Sequence, residues 1–163
     1  MRAVMPLRRF MRLPLRRKVL LLEAVCQLAL AWFLVRCVPF RFWSPLLGQQ
    51  APGEVVPREG TGDPRAPEIC GTITSINRRL KGRLTCLMLA MAAQWMMCRR
   101  RISCSLVLGT LMERDEQQQS VFKAHAWLRD VNGVVLGGQE HPFVPISSFV
   151  YRYPPACPSS VPK

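Results

Sequence analysis

Thr85-Cys86-Leu87-Met88-Leu89-Ala90-Met91-Ala92-Ala93-Gln94-Trp95-Met96-Met97-Cys98, followed by Arg99, Arg100 and Arg101, is the stretch on which the fold turns. It is apolar on nearly every side for three turns, the mark of a helix enclosed by other structure. At 1.5 Å per residue it forms one element of about 20 Å, closed by arginines at its negative end. Cys86 opens it, beside the unpaired N–H groups and positive dipole end of the first turn, a placement that favours an anionic sulfur. Buried cysteines are otherwise inert small hydrophobes, so the remainder of the chain has to separate the two roles.

The segments after this helix read as strands. Ser103-Cys104-Ser105-Leu106-Val107-Leu108-Gly109 alternates and then runs apolar. Met112 to Ser120, with its charges and three glutamines, is expected to be a solvated turn or loop. Val121 to Val131 is a second strand, with His125 and Trp127 on one face and Ala124, Ala126 and Leu128 on the other. Asn132-Gly133 is a two-residue hairpin signal, and Val134-Val135-Leu136 is the return strand, broken by Gly137-Gly138. Phe143 to Ile146 is expected to add a last edge strand, where Pro145 is tolerated.

Before the central helix, Ile69 to Leu80 has apolar residues at 69, 73, 76 and 80, one helical face, with Gly82 ending it. Residues 1 to 18 carry seven Lys and Arg and no acid, and an apolar run follows from Val19 to Val35. Its length is at the short limit for a membrane span. Glu23 and Gln27 share one face of it, and a carboxylate inside a span is costly, so a core-packing helix leads, ahead of membrane-surface association and then a true span. The residue before Pro39 is disfavoured as helix, which ends the run there. The sequence thus divides into a basic and apolar helical segment (1–48), a Pro/Gly-rich loop or linker (49–67), a compact core (68–150) and a Pro-rich tail expected to be disordered (151–163). The pattern is α+β: a helix bearing a possible nucleophile packed on a small antiparallel sheet, preceded by an N-terminal helix.

The 163 residues suit a single domain, and 23 Lys+Arg against 10 Asp+Glu leave a net charge of +13, which favours anionic partners. No zinc-finger spacing or interleaving of arginines with aromatics marks nucleic-acid binding, and no nucleic-acid partner is expected. The seven cysteines include no C-x-x-C, and the two histidines do not complete a metal set with them. An odd count, with Cys26, Cys86 and Cys98 in apolar helical stretches, reads as a reducing, cytoplasmic compartment.

A helix that begins with cysteine, a strand, and a hairpin that carries histidine are the parts of a thiol–imidazole site, in which the ring takes the thiol proton and later protonates a leaving amine. Cys98 sits at the wrong helix end and Cys104 begins a strand, so Cys86 ranks first, although spacing alone leaves His125 readable as an ordinary strand histidine.

Cys86-Leu87, Ala90, Arg99-Arg100-Arg101-Ile102, Leu106, Leu108-Gly109, Ala124-His125-Ala126-Trp127 and Gly133 together resemble the transglutaminase-like, papain-like leader peptidase of lasso-peptide biosynthesis, the B protein. Leu13-Pro14-Leu15, Leu21-Leu22-Glu23-Ala24 and the stretch from Pro39-Phe40-Arg41 to Leu47-Gly48 are similar to the opening of its protease portion, and the similarity covers most of residues 8 to 149. The resemblance implies a cysteine protease that removes the leader from a ribosomally made precursor, with Cys86 as nucleophile and His125 as general base. It also implies a separate small leader-recognition protein and a lasso cyclase as partners. No cofactor is expected for cleavage, and dependence on ATP is left open. The family commonly has an aspartate about a dozen residues beyond the histidine, where this chain has Gly137-Gly138. Asp130, Glu140, a backbone carbonyl or a side-chain amide are the candidates for that third role. Lys81-Gly82 stands where members often have Pro-Trp. The alternatives are an inactive relative that binds the precursor or the cyclase, and a small basic membrane-surface protein.

Overall fold

The computed structural model describes residues 14–57, 62–114, 120–138 and 142–153. Helix α1 spans Leu15–Cys37, α2 Phe40–Trp43, and a 3-10 turn Ser44–Leu47 leads into strand β1, Gln49–Pro52. Helices α3 (Arg65–Arg79) and α4 (Cys86–Cys98) follow, then β2 (Cys104–Arg114), β3 (Ser120–Asp130), β4 (Gly133–Leu136) and β5 (Val144–Tyr151). The strands form one antiparallel sheet in the order β1-β5-β2-β3-β4, and the α+β class expected from the sequence is the class observed.

The central helix starts and stops for local reasons. Thr85 is its N-cap, with Oγ1 accepting the Met88 N–H at 3.4 Å. At the other end Arg101 takes a left-handed φ of 55°, and the Ile102 N–H reaches back to the Met97 carbonyl at 3.0 Å, which satisfies a carbonyl of the last turn. Met88, Met91, Ala92, Met96 and Met97 are buried, packed between α1 and α3 on one side and the sheet on the other. Within this core Gln94 is the polar tie: its Nε2 donates to the carbonyls of Leu47 (3.1 Å) and Phe149 (2.9 Å).

α1 shares that core. Leu20, Ala24, Leu28 and Ala31 recur at helical spacing and are buried in it. Glu23, the carboxylate inside the apolar run, meets Arg100 at the end of α4 in a two-bond pair of 3.0 and 2.6 Å, and Arg99 lies 3.4 Å away. The Arg100 hydrogen bonds hold the Glu23 carboxyl below its usual range against the opposing effect of burial, with the charges of Arg100 and Arg99 acting in the same direction. Val38, before Pro39, is extended (φ −123°, ψ 130°) and closes the helix as the proline rule requires.

Four expectations are corrected. β2 and β3 extend to Arg114 and back from Ser120, into the stretch read as a loop, because the ladder continues through Glu113↔Val121 and Lys123 pairs with Glu113 across it. The hairpin turn is Val131-Asn132, with Gly133 opposite Asp130. Asp130 Oδ1 accepts the Asn132 N–H at 2.8 Å, a side-chain turn that shifts the loop by one residue. β5 lies inside the sheet between β1 and β2, but β1 pairs only with Ser147 to Val150, so Pro145, opposite Gly109, stands beyond it on a stretch of β5 with β2 alone as neighbour. The stretch 49–67 contains the edge strand β1 and the start of α3, where Asp63 Oδ1 accepts the Arg65 N–H at 2.8 Å. The tail from Pro154 lies outside the described residues.

Candidate active site

Cys86 is the first residue of α4 and is half-buried against the core. Its own N–H and that of Leu87 precede the first intrahelical acceptors, so both are free to face a ligand. The short connection from Cys98 to Cys104 folds β2 back along α4, and the two cysteines are hydrogen-bonded there. The helix returns about 18 Å from that point. Along β2 the distance from Cys104 to Gly109 is about 17 Å. Gly109 pairs with His125 across β2 and β3.

His125 is held by its surroundings. Its Nε2 lies 3.2 Å from the Gly137 carbonyl oxygen. A carbonyl only accepts, so Nε2 carries the proton and Nδ1 presents a lone pair. Phe143 packs 5.0 Å and Trp127 6.1 Å from the imidazole, centre to centre. Trp127 donates from Nε1 to Glu54 at 3.3 Å, and Glu54 also binds Arg129 at 2.5 Å. The indole lies across Gly109: a Cβ at that residue would stand 2.6 Å from the ring, so glycine is required for this packing. Gly137 is required as well, with φ +78° and a Cβ position 2.9 Å from the Ala126 carbonyl.

Strand alternation assigns the faces. Ala126 and Leu128 belong to the core shared with α4, and His125 therefore projects with Trp127 from the other face. Among the described residues no hydrogen bond joins Cys86 to His125. β4 pairs only with Leu128 to Asp130, which leaves β3 as the edge of the described sheet at His125.

The other proposed residues fall elsewhere. Asp130 is not brought to the imidazole: it lies five residues along β3, on the core face, buried and occupied with the Asn132 turn. Glu140 lies outside the described residues. The group that meets the ring is the Gly137 carbonyl, and the sequence signal for it is glycine where an acid is usual. Two rival thiols are disfavoured as nucleophiles. Burial, helped by the charge of Asp130, pushes Cys70 up to about 12. Cys104 is pushed up by its hydrogen bond with Cys98 and by burial. Among the described residues no three His, Cys, Asp or Glu side chains are placed to share a metal ion.

Residues 25–148 match the family model of the Transglutaminase-like superfamily. The chain belongs to this superfamily. Its members typically carry a Cys-His-Asp set with cysteine-protease or transferase chemistry. Comparisons with curated proteins and with solved structures give no match in either case. This chain has a cysteine at the start of its central helix and a histidine on β3, and a backbone carbonyl stands at the imidazole.

Proposed function

We propose that this chain is a cytoplasmic cysteine peptidase that removes the leader from a lasso-peptide precursor. A separate leader-recognition protein delivers the substrate, and a lasso cyclase acts on the product. The observation that carries the reading is the Gly137 carbonyl on His125 Nε2, which fixes the tautomer with a basic Nδ1, in a transglutaminase-like chain whose central helix begins with Cys86.

For the reaction the His125 ring, which projects from the face opposite α4, has to come round the open edge of β3 to Cys86; Nδ1 then takes the thiol proton, and Sγ attacks the carbonyl at the leader–core junction. The first-turn N–H groups of α4 face the developing oxyanion. The imidazolium returns its proton to the leaving amine, and a water activated by the same ring hydrolyses the thioester. The Gly137 carbonyl orients the ring but supplies no negative charge, so the imidazolium is less stabilised than beside a carboxylate.

Mass spectrometry of a precursor peptide incubated with this protein and the recognition protein tests the reading. Leader release is expected, and Cys86→Ala and His125→Ala each abolish it while Cys98→Ala does not. Release that survives Cys86→Ala would falsify the assignment. The missing acid and the absence of a Cys86–His125 hydrogen bond favour one second reading, an inactive relative that binds the precursor or the cyclase. Precursor binding without release by the wild-type protein would establish that instead.

A further inference from the structure

α1 is apolar on both sides. Its buried stripe of Leu20, Ala24, Leu28 and Ala31 faces the core. Leu15, Val19, Leu22, Val25, Leu30 and Phe33 lie on the opposite side and are exposed, Leu22 by 66 %. At about 100° per residue these positions form an arc wider than the narrow seam of a coiled coil. Trp32 shares that arc, and the exposed Phe40 and Phe42 extend it past the helix end. A continuous apolar face of this kind on a soluble domain marks an interaction surface.

Charge selects the occupant. Exposed Arg16 and Arg17 stand at the start of the helix, Arg36 lies on the exposed arc near its end, and exposed Arg41 follows, its guanidinium 4.7 Å from the Phe42 ring. With a net charge of +13, two copies of the chain repel each other. An anionic bilayer surface attracts them, and aromatic and basic side chains suit the headgroup layer. The helix is long and apolar enough to cross a membrane. Its opposite side, however, is packed into the domain core, and Glu23 is clamped to Arg100. Those contacts would have to break in a span, whereas they survive if the helix lies flat with the domain above it.

We infer that the outer face of α1, with Phe40 and Phe42, seats the domain on an anionic lipid bilayer as an in-plane anchor. This docking does not depend on the Cys86–His125 chemistry. It is tested by floating the full chain with vesicles of phosphatidylglycerol and phosphatidylcholine, and with vesicles of phosphatidylcholine alone. Partitioning into the anionic vesicles is expected to be at least about tenfold stronger and to fall with salt. The triple change Leu22→Ser, Val25→Ser and Phe33→Ser removes exposed apolar surface only and lowers partitioning by about 100-fold. Arg36→Gln with Arg41→Gln, which leaves the apolar face intact, lowers the anionic preference by about tenfold and guards against misfolding of the triple variant. Trp32 emission shifts to the blue on the anionic vesicles, and Trp32→Phe removes that shift. Absence of partitioning overturns the inference. So does a dimer that the triple change dissolves in place of lipid binding, or bound protein that is protected from protease on both sides of α1 as a span.

Discussion

Gly137→Ala tests whether the imidazole is oriented by this residue's carbonyl. Two costs follow from the structure. Alanine at a φ of +78° carries a left-handed penalty of about 1–2 kcal/mol. Its Cβ would also stand 2.9 Å from the Ala126 carbonyl and 3.2 Å from Trp127 Cα, backbone atoms of β3 that move only with the sheet. Overpacking of this kind costs about 1–3 kcal/mol. The two sum to about 2–5 kcal/mol, which in a chain of this size lowers Tm by roughly 4–20 °C. The strain is relieved by moving residue 137 away from β3, which takes the carbonyl off Nε2. Leader release should then fall by at least about tenfold, since general base catalysis supplies about 10²–10⁴-fold. Gly138→Ala is the control: its Cβ position is open and its φ is not left-handed, so melting stays within about 0.5 kcal/mol of wild type. Calorimetry and the cleavage assay read the two effects separately. A Gly137→Ala protein that melts and cleaves like the Gly138→Ala control refutes the argument.

Glu23→Gln breaks the pair that ties α1 to α4; with side chains 11 % and 24 % exposed, its loss costs about 1.5–3 kcal/mol in urea unfolding at pH 7. Because the folded carboxyl is held below its ordinary value, its contribution is present above the unfolded pKa of 4.5 and is lost as pH falls through the lower folded value. Wild type and Glu23→Gln therefore converge in stability under acid, and a constant gap between them below that window counts against the pair. Gln94→Leu leaves the Leu47 carbonyl without its side-chain donor and strips one from Phe149, for a loss of about 2–4 kcal/mol. A urea midpoint unchanged from wild type would show that the amide is not a structural tie.

The elements with strong periodicity or strong caps were legible in the chain. α4 starts at Cys86 because Thr85 is a capping residue before an apolar run, and α1 stops where Pro39 forbids its predecessor to be helical. The strand from Val121 and its partner were readable from alternation. What was not readable depends on pairing between distant segments. β1 is four residues of a Gln- and Pro-containing stretch, ordered only because β5 is there to receive it. Pro145 argues for an edge and does stand beyond the end of β1, but nothing local shows that β5 goes on to receive β1 at Ser147 to Val150. The Asn132-Gly133 turn moved by one residue because the Asp130 carboxylate satisfies the turn instead. At the site, residue type and setting single out Cys86 and His125 as candidates, whereas Asp130, a sequence candidate for the third role, is taken up by the Asn132 turn on the core face. The Gly137 carbonyl carries no side chain to recognise; glycine in the place of an acid was its one trace. The faces of β3 were legible as alternation, but which face α4 covers is set by tertiary packing.

The central claim is that Cys86 is a nucleophile served by His125. Its most direct test is the rate of iodoacetamide alkylation of each cysteine in the folded protein at neutral pH, followed by peptide mass spectrometry. Cys86 is expected to react fastest, ahead of the exposed Cys26 and Cys37, His125→Ala to slow Cys86 alone, and Cys70 and Cys104 to stay unmodified. Cys86 reacting no faster than Cys26, with a rate indifferent to His125→Ala, would contradict it.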